Sequence, residues 1–435
     1  MLIQRAVLLD GTETDIRVDE RIVEAGDLAP HKGEQVLDAA GQTVIPGLHD
    51  HHVHLRSAAA ALTSARVGPA EVRGRDDLAR ALADAAVGGD GWIRAVGYHE
   101  AVAGPLDRNA LDEVSPPVPV RVQHRSGVLW TLNSAGLARV GLTDHPDGRL
   151  RSADRTWSDT LQRNESGLAD VSRRLCEYGV TGVTDATPDF EVSDIVKLMA
   201  AHRRGELRQR VHCLAPGKRI LHDGDLDLVE LTAWIAERHA IDAPVAVHCV
   251  TAAQLVVTLS ALREAGTHPH DRIEHAAVVP DDSMADLTDL GVTVVTQPNF
   301  VAERGDQYLA DIPAAEHHEL WRVASLRSAG VKVALSTDMP FGDGDPWASM
   351  RAAVRRTTAG GSVLGSDECV SAREALTMFL GTSSQPTHPR IIAPGQPGDL
   401  CVLAAPPKEV LEDLDAPMVA ATVVAGEVVF ERSVR

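Results

Sequence analysis

The sequence predicts an α/β protein: a TIM-type (β/α)8 barrel with a small β-sandwich formed by both termini. Apolar strand-like runs alternate with amphipathic helical stretches through the middle of the chain, which is typical of parallel strands joined by helices. Short β-branched runs occupy both ends of the chain. The length of 435 residues suits one large barrel and a smaller module.

Residues 1–46 and 390–435 are predicted to form the β-sandwich. The first segment holds the runs LIQRAVLL, TDIRVDERIVEAG and EQVLDAAGQTVI, and the second holds GDLCVLAA and ATVVAGEVVFE. Strands at both ends of a helix-rich chain indicate that the ends assemble together, although the same runs could form separate edge hairpins.

Residues 47–389 are predicted to form the barrel. Its strand candidates are VIPGLHDHHVHL, VTGVTDAT, QRVHCLAP, APVAVHCV, RIEHAAVV, VTVVTQP and VKVALSTD. Several helical stretches between them end in a glycine, as helix C-caps do: Gly179, Gly266, Gly291 and Gly330. RVHCLAPGKRILHD leaves no room for a helix between its two apolar runs, whereas parallel neighbours need a crossover of about a dozen residues. The barrel is therefore expected to be irregular around its third and fourth strands.

An insert at about 57–165 separates the first barrel strand from the second. It contains GGDG, SPPVP, HPDG and VQHRSGVLWTLNSAGL, and it is too long for one crossover helix. We expect it to cap the mouth of the active site.

The charge and cysteine content exclude several classes of protein. Acidic residues outnumber basic ones by 62 to 42, and the resulting charge of −20 argues against nucleic acid and anionic membranes as partners. Five scattered cysteines without a CxxC pair indicate reduced thiols. The charged N-terminus lacks the apolar stretch of a signal peptide, and no stretch is long and apolar enough to cross a bilayer. These features predict a cytoplasmic protein.

The segment HDHHVHL, residues 49–55, contains two His-x-His pairs. Alternate residues of a strand face the same side, so His52 and His54 can present two imidazoles to one metal ion. His49 and His51 form a second pair in the opposite register. A His-x-His pair can also be incidental, and spacing alone does not choose between the two.

Three more polar residues close apolar runs, namely His248 in VAVHCV, His275 in RIEHA and Asp338 in VALSTD. Each would be costly to bury without a partner, although any one of them could be a satisfied core residue. The carboxyl ends of barrel strands carry the active sites of such enzymes. Imidazoles and a carboxylate converging there predict a hydrolytic, zinc-type site.

In this order, PGLHDHHVHL, VHCV, RIEHA and STDMPFGDGDPW resemble the amidohydrolase superfamily, specifically its YtcJ-like amidohydrolase 3 branch. The resemblance extends to YGVTGVTDA, VVTQPNF and PGQPGDLCVLAA, and so to nearly the whole chain. It implies a divalent metal centre and hydrolysis at a carbon–nitrogen bond. It also selects His52 and His54, because the family's Asp precedes the ligand pair by two positions, here Asp50.

The resemblance further implies that Lys218 in APGKRILHD is a carboxylated lysine that bridges two metal ions. A carbamate forms only on a neutral amine, so burial of the lysine would assist. If Lys218 is an ordinary surface lysine instead, the site is mononuclear. The metal is expected to be Zn, although Fe, Mn and Ni also suit these ligands.

Asp338 and His275 are the predicted catalytic residues. A metal ion lowers the pKa of bound water towards neutrality. Asp338 would accept the proton of that water and deliver it to the leaving nitrogen, while the ion or a histidine such as His275 polarises the scissile carbonyl. The expected reaction is hydrolysis of an amide, formamide or related bond in a small molecule.

Substrate contacts are expected from two regions, and the candidates are His124, Arg125, Trp130, Gln297, Arg304 and Phe341. The first three lie in VQHRSGVLW, where relatives carry a histidine after Ser-Gly and this chain has Val128. Packing and ion-pair roles are the alternatives for these side chains.

Two other functions remain open at this stage. A mononuclear deaminase of an amino-substituted heterocycle needs a carboxylate near the strand of the third histidine, but HCVTAAQL offers no Glu and Glu274 lies beside a ligand. A non-catalytic relative would have lost ligands, whereas all five core ligands are present. A homodimer is implied by the family alone.

Overall fold

The computed structural model describes residues 1–152, 155–158, 160–161 and 167–433. The chain divides into two compact units: Met1–His54 together with Ala169–Arg435, and Leu55–Leu168. The second unit spans nearly the residues of the insert expected at about 57–165. Positions 153–154, 159 and 162–166 of that insert lie outside the described residues.

The strands of both units are numbered here in chain order. They are β1 (Leu2–Val7), β2 (Glu13–Val18), β3 (Ile22–Gly26), β4 (Val36–Asp38), β5 (Thr43–Pro46), β6 (Leu48–Val53), β7 (Ala65–Arg66), β8 (Ile93–Tyr98), β9 (Val120–His124), β10 (Leu129–Leu132), β11 (Arg149–Arg151), β12 (Val180–Asp185), β13 (Arg210–Cys213), β14 (Lys218–Ile220), β15 (Ala246–Cys249), β16 (Arg272–His275), β17 (Thr293–Thr296), β18 (Lys332–Leu335), β19 (Leu400–Leu403), β20 (Val419–Val424) and β21 (Glu427–Glu431).

The α-helices are numbered in the same way. They are α1 (Leu55–Ala61), α2 (Arg75–Ala83), α3 (Glu100–Ala103), α4 (Arg108–Val114), α5 (Ser134–Arg139), α6 (Arg155–Ser158), α7 (Leu168–Glu177), α8 (Val192–Arg203), α9 (Leu228–His239), α10 (Ala252–Ala265), α11 (Ser283–Leu290), α12 (Asn299–Asp311), α13 (Ala324–Ser328), α14 (Pro346–Arg355), α15 (Ala372–Thr377) and α16 (Pro407–Asp413). Short 3-10 helices span Asp223–Asp225, Ala314–Glu319, Ser366–Glu368 and Ala416–Met418.

Two parallel sheets form the centre of the first unit, in the orders β13-β12-β6 and β14-β15-β16-β17-β18. Every residue of β6, β12, β16 and β17 is buried. Continuous burial is typical of parallel strands covered on both faces. The fold is therefore α/β and consistent with a TIM-type barrel, as the sequence predicts.

The two parallel sheets meet at one edge through backbone hydrogen bonds. The amide of Asp338 donates to the carbonyl of His52 (3.0 Å), and the amide of His54 donates to the carbonyl of Met339 (2.8 Å). These bonds bring the end of β6 beside the segment that follows β18. A continuous closed ring of strands stays a prediction.

The chain is irregular where the sequence predicts it. Strands β13 and β14 follow one another across residues 214–217 without a helix, and they belong to different sheets. The strand expected to be missing, shortened or irregular is present as β14, which is only three residues long. A connection this short cannot place parallel strands side by side, so each pairs with its other neighbour.

The helix ends follow the glycine pattern of the sequence. Gly179, Gly266, Gly291 and Gly330 have φ values of 79°, 82°, 64° and 86°. Only glycine adopts this left-handed conformation without strain, so each helix stops shortly before the next strand.

Both ends of the chain contribute to one further sheet of the first unit, in the order β21-β20-β19-β5-β1-β2-β3, with β4 paired to β1. Its buried core combines residues from both ends, including Ile3, Ile16, Leu400 and Val423. The joint assembly of the termini agrees with the sequence analysis, whereas a second facing layer stays a prediction.

The second unit has a sheet of its own, in the order β11-β10-β9-β8-β7. Strands β7, β8 and β9 are parallel, and β9, β10 and β11 are antiparallel. Ile93 and Val120 on one face of this sheet join a buried cluster with Leu78 and Leu111 of the helices.

No helix within the described ranges has the length and apolar character that a bilayer crossing requires.

Candidate metal centre

His52, His54 and Asp338 come together where β6 meets the segment after β18. Oδ1 of Asp338 lies 3.5 Å from Nε2 of His52 and 3.3 Å from Nε2 of His54. Nε2 of His52 and Oδ1 of Asp338 are buried, and neither makes a hydrogen bond to any residue that the structure describes. Buried polar atoms without a partner are costly, and a cation between them would satisfy both. This arrangement fits a metal ion.

Hydrogen bonds at Nδ1 leave Nε2 of these histidines available as a ligand. Nδ1 of His52 donates to Oε2 of Glu274. Nδ1 of His275 donates to Oε1 of Gln297 over 2.8 Å, and Nδ1 of His54 lies 3.2 Å from Oγ1 of Thr187. An acceptor at Nδ1 fixes the tautomer and the ring orientation of a metal ligand.

Two more predicted ligands lie nearby, His275 beside His52 and His248 beside His275. The ring centroids of His52 and His275 are 4.8 Å apart, and those of His275 and His248 are 4.5 Å apart. Burial, and secondarily the nearby Lys218, lowers the pKa of His248 to about 3. Burial likewise keeps the pKa of His52 and of His275 well below the usual range. The rings are therefore neutral at neutral pH, as metal ligands must be.

Lys218 is buried on β14, next to the strand that carries His248. Burial lowers the pKa of Lys218 to about 8, although Glu274 and Asp338 act in the opposite direction. A substantial fraction of the amine is therefore neutral near pH 8. Lys218 is not a surface lysine, and the alternative raised by the sequence is wrong on this point.

The backbone is strained at two of the predicted ligands. His275 has a φ of 73° and Asp338 a φ of 56°, both in the left-handed region that favours glycine. Non-glycine residues keep such a conformation only where the surrounding structure enforces it, often at functional sites.

Asp50 forms hydrogen bonds to residues beside the predicted ligands. Its buried carboxylate accepts hydrogen bonds from the amide and the hydroxyl of Thr337 and from the amide of His52. Burial raises the pKa of Asp50 to about 7. Asp50 thereby links β6 to the residue that precedes Asp338.

The sequence model of the amidohydrolase family matches residues 35–430. The chain belongs to the amidohydrolase family. The resemblance to its amidohydrolase 3 branch is confirmed, and with it a metal-dependent hydrolase.

This amidohydrolase is similar to one characterised protein in sequence and to two solved structures in fold. The N-substituted formamide deformylase of Arthrobacter pascens is 25% identical over 459 aligned positions, which cover 86% of this chain and 83% of the relative. The fold is similar to an uncharacterised metal-dependent hydrolase of Pyrococcus horikoshii, with a TM-score of 0.68, 19% identity and coverage of 87% and 91%. It is also similar to 5-methylcytosine deaminase of Klebsiella pneumoniae, with a TM-score of 0.57, 16% identity and coverage of 100% and 99%.

The second His-x-His pair of the amidohydrolase faces away from Asp338. Nε2 of His49 lies 2.9 Å from Oγ1 of Thr184, and the rings of His49 and His51 stack with centroids 4.6 Å apart. The structure therefore brings His52 and His54 to the carboxylate, which spacing alone could not choose.

The three substrate candidates of the first unit differ in their surroundings. Phe341 meets the ring of His54 edge-on, with centroids 5.1 Å apart. Arg304 donates to the carbonyl of Phe341 and lies 4.0 Å over the ring of Phe300. Gln297 is fully buried against His275, so it orients a predicted ligand.

The three substrate candidates of the second unit also make contacts with neighbouring residues. Trp130 is buried, and the guanidinium groups of Arg94 and Arg121 lie 5.2 and 5.5 Å from its ring. The amide of Arg125 donates to the carbonyl of Tyr98 over 2.8 Å. His124 lies beside a carboxylate, with its Nε2 3.1 Å from Oε2 of Glu100.

His99, Glu100 and His124 form a second group of possible metal ligands in the amidohydrolase. However, Nδ1 of each histidine accepts a backbone N–H over 3.2 Å, from Ala101 and from Ser126 respectively. The ring proton then lies on Nε2, facing the carboxylate of Glu100. Nε2 of His124 lies 3.1 Å from Oε2 of Glu100, within hydrogen-bond distance, whereas Nε2 of His99 lies 3.9 Å from the same oxygen, beyond that distance. Glu100 therefore already has a hydrogen-bond donor in His124.

Glu274 is a candidate functional residue that the sequence-based prediction did not include. Its carboxylate is fully buried, accepts from His52, and also accepts from Nε and Nη2 of Arg272 over 2.7 and 3.1 Å. Arg272 and Glu274 alternate with apolar residues in RIEH, so they face the same side of β16. Two opposite charges on one face of a buried strand were the signal that could have identified this pair.

Proposed function

We propose that this amidohydrolase hydrolyses the carbon–nitrogen bond of an amide, formamide or related small molecule, and that N-substituted formamides are the first class to test. The observation that carries the proposal is the pair of buried, unpaired atoms, Nε2 of His52 and Oδ1 of Asp338, surrounded by further histidines. The formamide deformylase of Arthrobacter pascens supports the substrate class.

The residues proposed to hold the metal are His52, His54, Lys218, His248, His275 and Asp338. Zinc suits imidazole and carboxylate ligands, and Fe, Mn or Ni would also do so. A cation held there supplies Lewis acidity, which makes water nucleophilic near neutral pH.

Asp338 is proposed to move the proton. Its carboxylate, which would also touch the cation through Oδ1, would take a proton from the attacking water. The same carboxylate would then return that proton to the leaving nitrogen, which departs as a neutral amine. His275, held by Gln297, is oriented towards the same space as a ligand and as a polarising group for the substrate carbonyl.

A carboxylated Lys218 is proposed to bridge two cations. We expect wild-type protein, reconstituted with zinc in bicarbonate, to bind two ions per chain and Lys218→Met to bind one, because the thioether cannot form a carbamate. Bicarbonate should speed the reconstitution of wild type only. Mass spectrometric metal analysis measures both effects.

Lys332→Met is the matched control for Lys218→Met, because Lys332 lies exposed on β18 and donates to the carbonyl of Gly291. The control should keep the wild-type metal content. Equal metal content in wild type and Lys218→Met would contradict the bridge.

A deaminase of an amino-substituted heterocycle is the alternative function. It requires a carboxylate that shuttles protons near the third histidine, and Glu274 is the candidate by position. Glu274 already accepts hydrogen bonds from Arg272 and His52, so its oxygens are occupied by partners other than a substrate. Hydrolysis is therefore the better supported reaction.

The proposed function is tested by supplying the zinc-loaded protein with N-substituted formamides and with amino-substituted heterocycles. We expect a formamide and water to give formate and the free amine, and we expect no ammonia from the heterocycles. Removal of the metal by a chelator should abolish turnover, and zinc should restore it. Full activity in chelated protein, or ammonia from heterocycles without hydrolysis of formamides, would contradict the proposal.

A further inference from the structure

Two arginines lie side by side on the sheet of the second unit. Arg94 on β8 and Arg121 on β9 are register partners on adjacent parallel strands. Their neighbours Ile93 and Val120 enter the apolar cluster under the helices, so the two arginines project from the opposite face. Two positively charged side chains therefore lie next to each other on one face of the sheet, although like charges repel.

The positive charge of this pair is poorly compensated. The nearest ion-pair partner of Arg121 in the described residues is Asp90, at 4.0 Å. Burial, with Arg121 adding to it, lowers the pKa of Arg94 to about 9. A buried cation is normally paired with a carboxylate or with several hydrogen-bond acceptors. In the described residues, Arg94 and Arg121 have fewer such partners than two guanidinium groups require.

The donors of Arg121 are unused. Its Nε is buried without a hydrogen-bond partner, and its guanidinium makes no hydrogen bond to a residue in the described ranges. Arg94 donates to Oγ of Ser64 over 2.7 Å and reaches Oε1 of Gln123 only at 3.5 Å. A guanidinium presents its donors in a fixed fork that matches the oxygens of a carboxylate or a phosphate.

Two tryptophans hold the guanidinium groups in place. The ring of Trp130 lies 5.2 Å from Arg94 and 5.5 Å from Arg121, and the ring of Trp92 lies 5.6 Å from Arg121. An aromatic face attracts a cation but leaves the in-plane N–H groups without acceptors. The rings thus orient the donors without satisfying them.

We propose that Arg94 and Arg121 form a binding site for an oxyanion, the carboxylate or phosphate group of a small molecule. The side chain of Arg121 is 14% exposed, so it is not sealed from solvent. The chain as a whole carries a charge of −20, so this pair is a local positive site on an acidic protein.

The test is calorimetric titration of the full, metal-loaded chain with inorganic phosphate in one arm and with acetate or benzoate in the other. We expect at least one of these anions to bind and to raise the melting temperature, because it neutralises the buried charges. Arg121→Gln should weaken that binding about tenfold or more, the loss expected for a charge-assisted hydrogen bond. The anion affinity of Arg121→Lys should lie between those of wild type and Arg121→Gln, since lysine keeps the positive charge but lacks the forked donors of the guanidinium.

Arg139→Gln is the matched control. Arg139 also lies over Trp92, at 5.8 Å, but it donates to the carbonyls of Asp90 and Gly91. Its loss should leave anion binding unchanged. All variants keep the metal centre, so any anion bound there is common to them and cancels in the comparison.

Two results would overturn the site. One is the absence of binding by either class of anion at millimolar concentration, and the other is equal affinity and stoichiometry in wild type and Arg121→Gln. If circular dichroism shows that Arg121→Gln is unfolded, Arg94→Gln provides the same comparison.

Discussion

Asp338→Asn is expected to leave this amidohydrolase folded and to lower kcat for its substrate by about a hundredfold to ten-thousandfold. The side-chain amide has the shape of the carboxylate, so it fits beside His52 and His54, from which Oδ1 of Asp338 lies 3.5 and 3.3 Å. The amide cannot accept the proton of the attacking water, and that transfer is the step assigned to the carboxylate of Asp338. Steady-state kinetics on a formamide that the wild type hydrolyses, with metal content and melting temperature measured in parallel, checks the expectation.

Asp345→Asn is the control for that variant. Asp345 lies in the same loop, where its carboxylate caps α14 by accepting from the amide of Trp347 over 2.9 Å. Asparagine caps helices as well as aspartate does, so stability and activity should both persist. Near-wild-type turnover by Asp338→Asn would show that another group moves the proton.

Glu274→Gln is expected to weaken zinc binding by about tenfold to a hundredfold, the usual effect of losing a partner behind a metal ligand. The carboxylate accepts the Nδ1 proton of His52 and so makes Nε2 more basic. A neutral amide reduces that effect, and it also leaves Arg272 without its counter-charge. Competition for zinc against a chelator of known affinity measures the change.

The glutamine variant is preferable to alanine because Glu274→Ala would leave a buried, unpaired arginine at a cost of about 3–5 kcal/mol. Glu368→Gln is the matched control. Glu368 is also buried, 3.5 Å from Arg322, and it accepts from the amide and the hydroxyl of Ser325, away from the predicted ligands. Unchanged zinc affinity in Glu274→Gln would exclude a role for Glu274 in metal binding.

The predicted ligands were accessible from the sequence because each closes an apolar strand. His248, His275 and Asp338 each follow a run that is buried in the structure, and parallel strands bring their carboxyl ends to one edge. The choice between the two His-x-His pairs was not accessible from spacing. It depends on the backbone bond from Asp338 to His52, which joins segments far apart in the chain.

Side-chain direction is what the sequence could not provide for Gln297. Its position after β17 suggested the substrate, whereas the side chain turns to His275 and Ser336. The insert presents the same difficulty. The insert forms a mixed sheet through strand pairings such as β8 with β9. These pairings accompany the packing of a shared apolar cluster, and no local sequence motif indicates them.

The bond between Asp50 and Thr337 joins residues 287 positions apart. Asp338, the carboxylate of the predicted ligand group, directly follows Thr337 and is therefore synthesised long after His52 and His54. A nascent chain that contains His52 and His54 but not Asp338 offers a cation two of the predicted imidazole ligands without the predicted carboxylate. The complete set of predicted ligands therefore exists only once synthesis of the chain has passed Asp338.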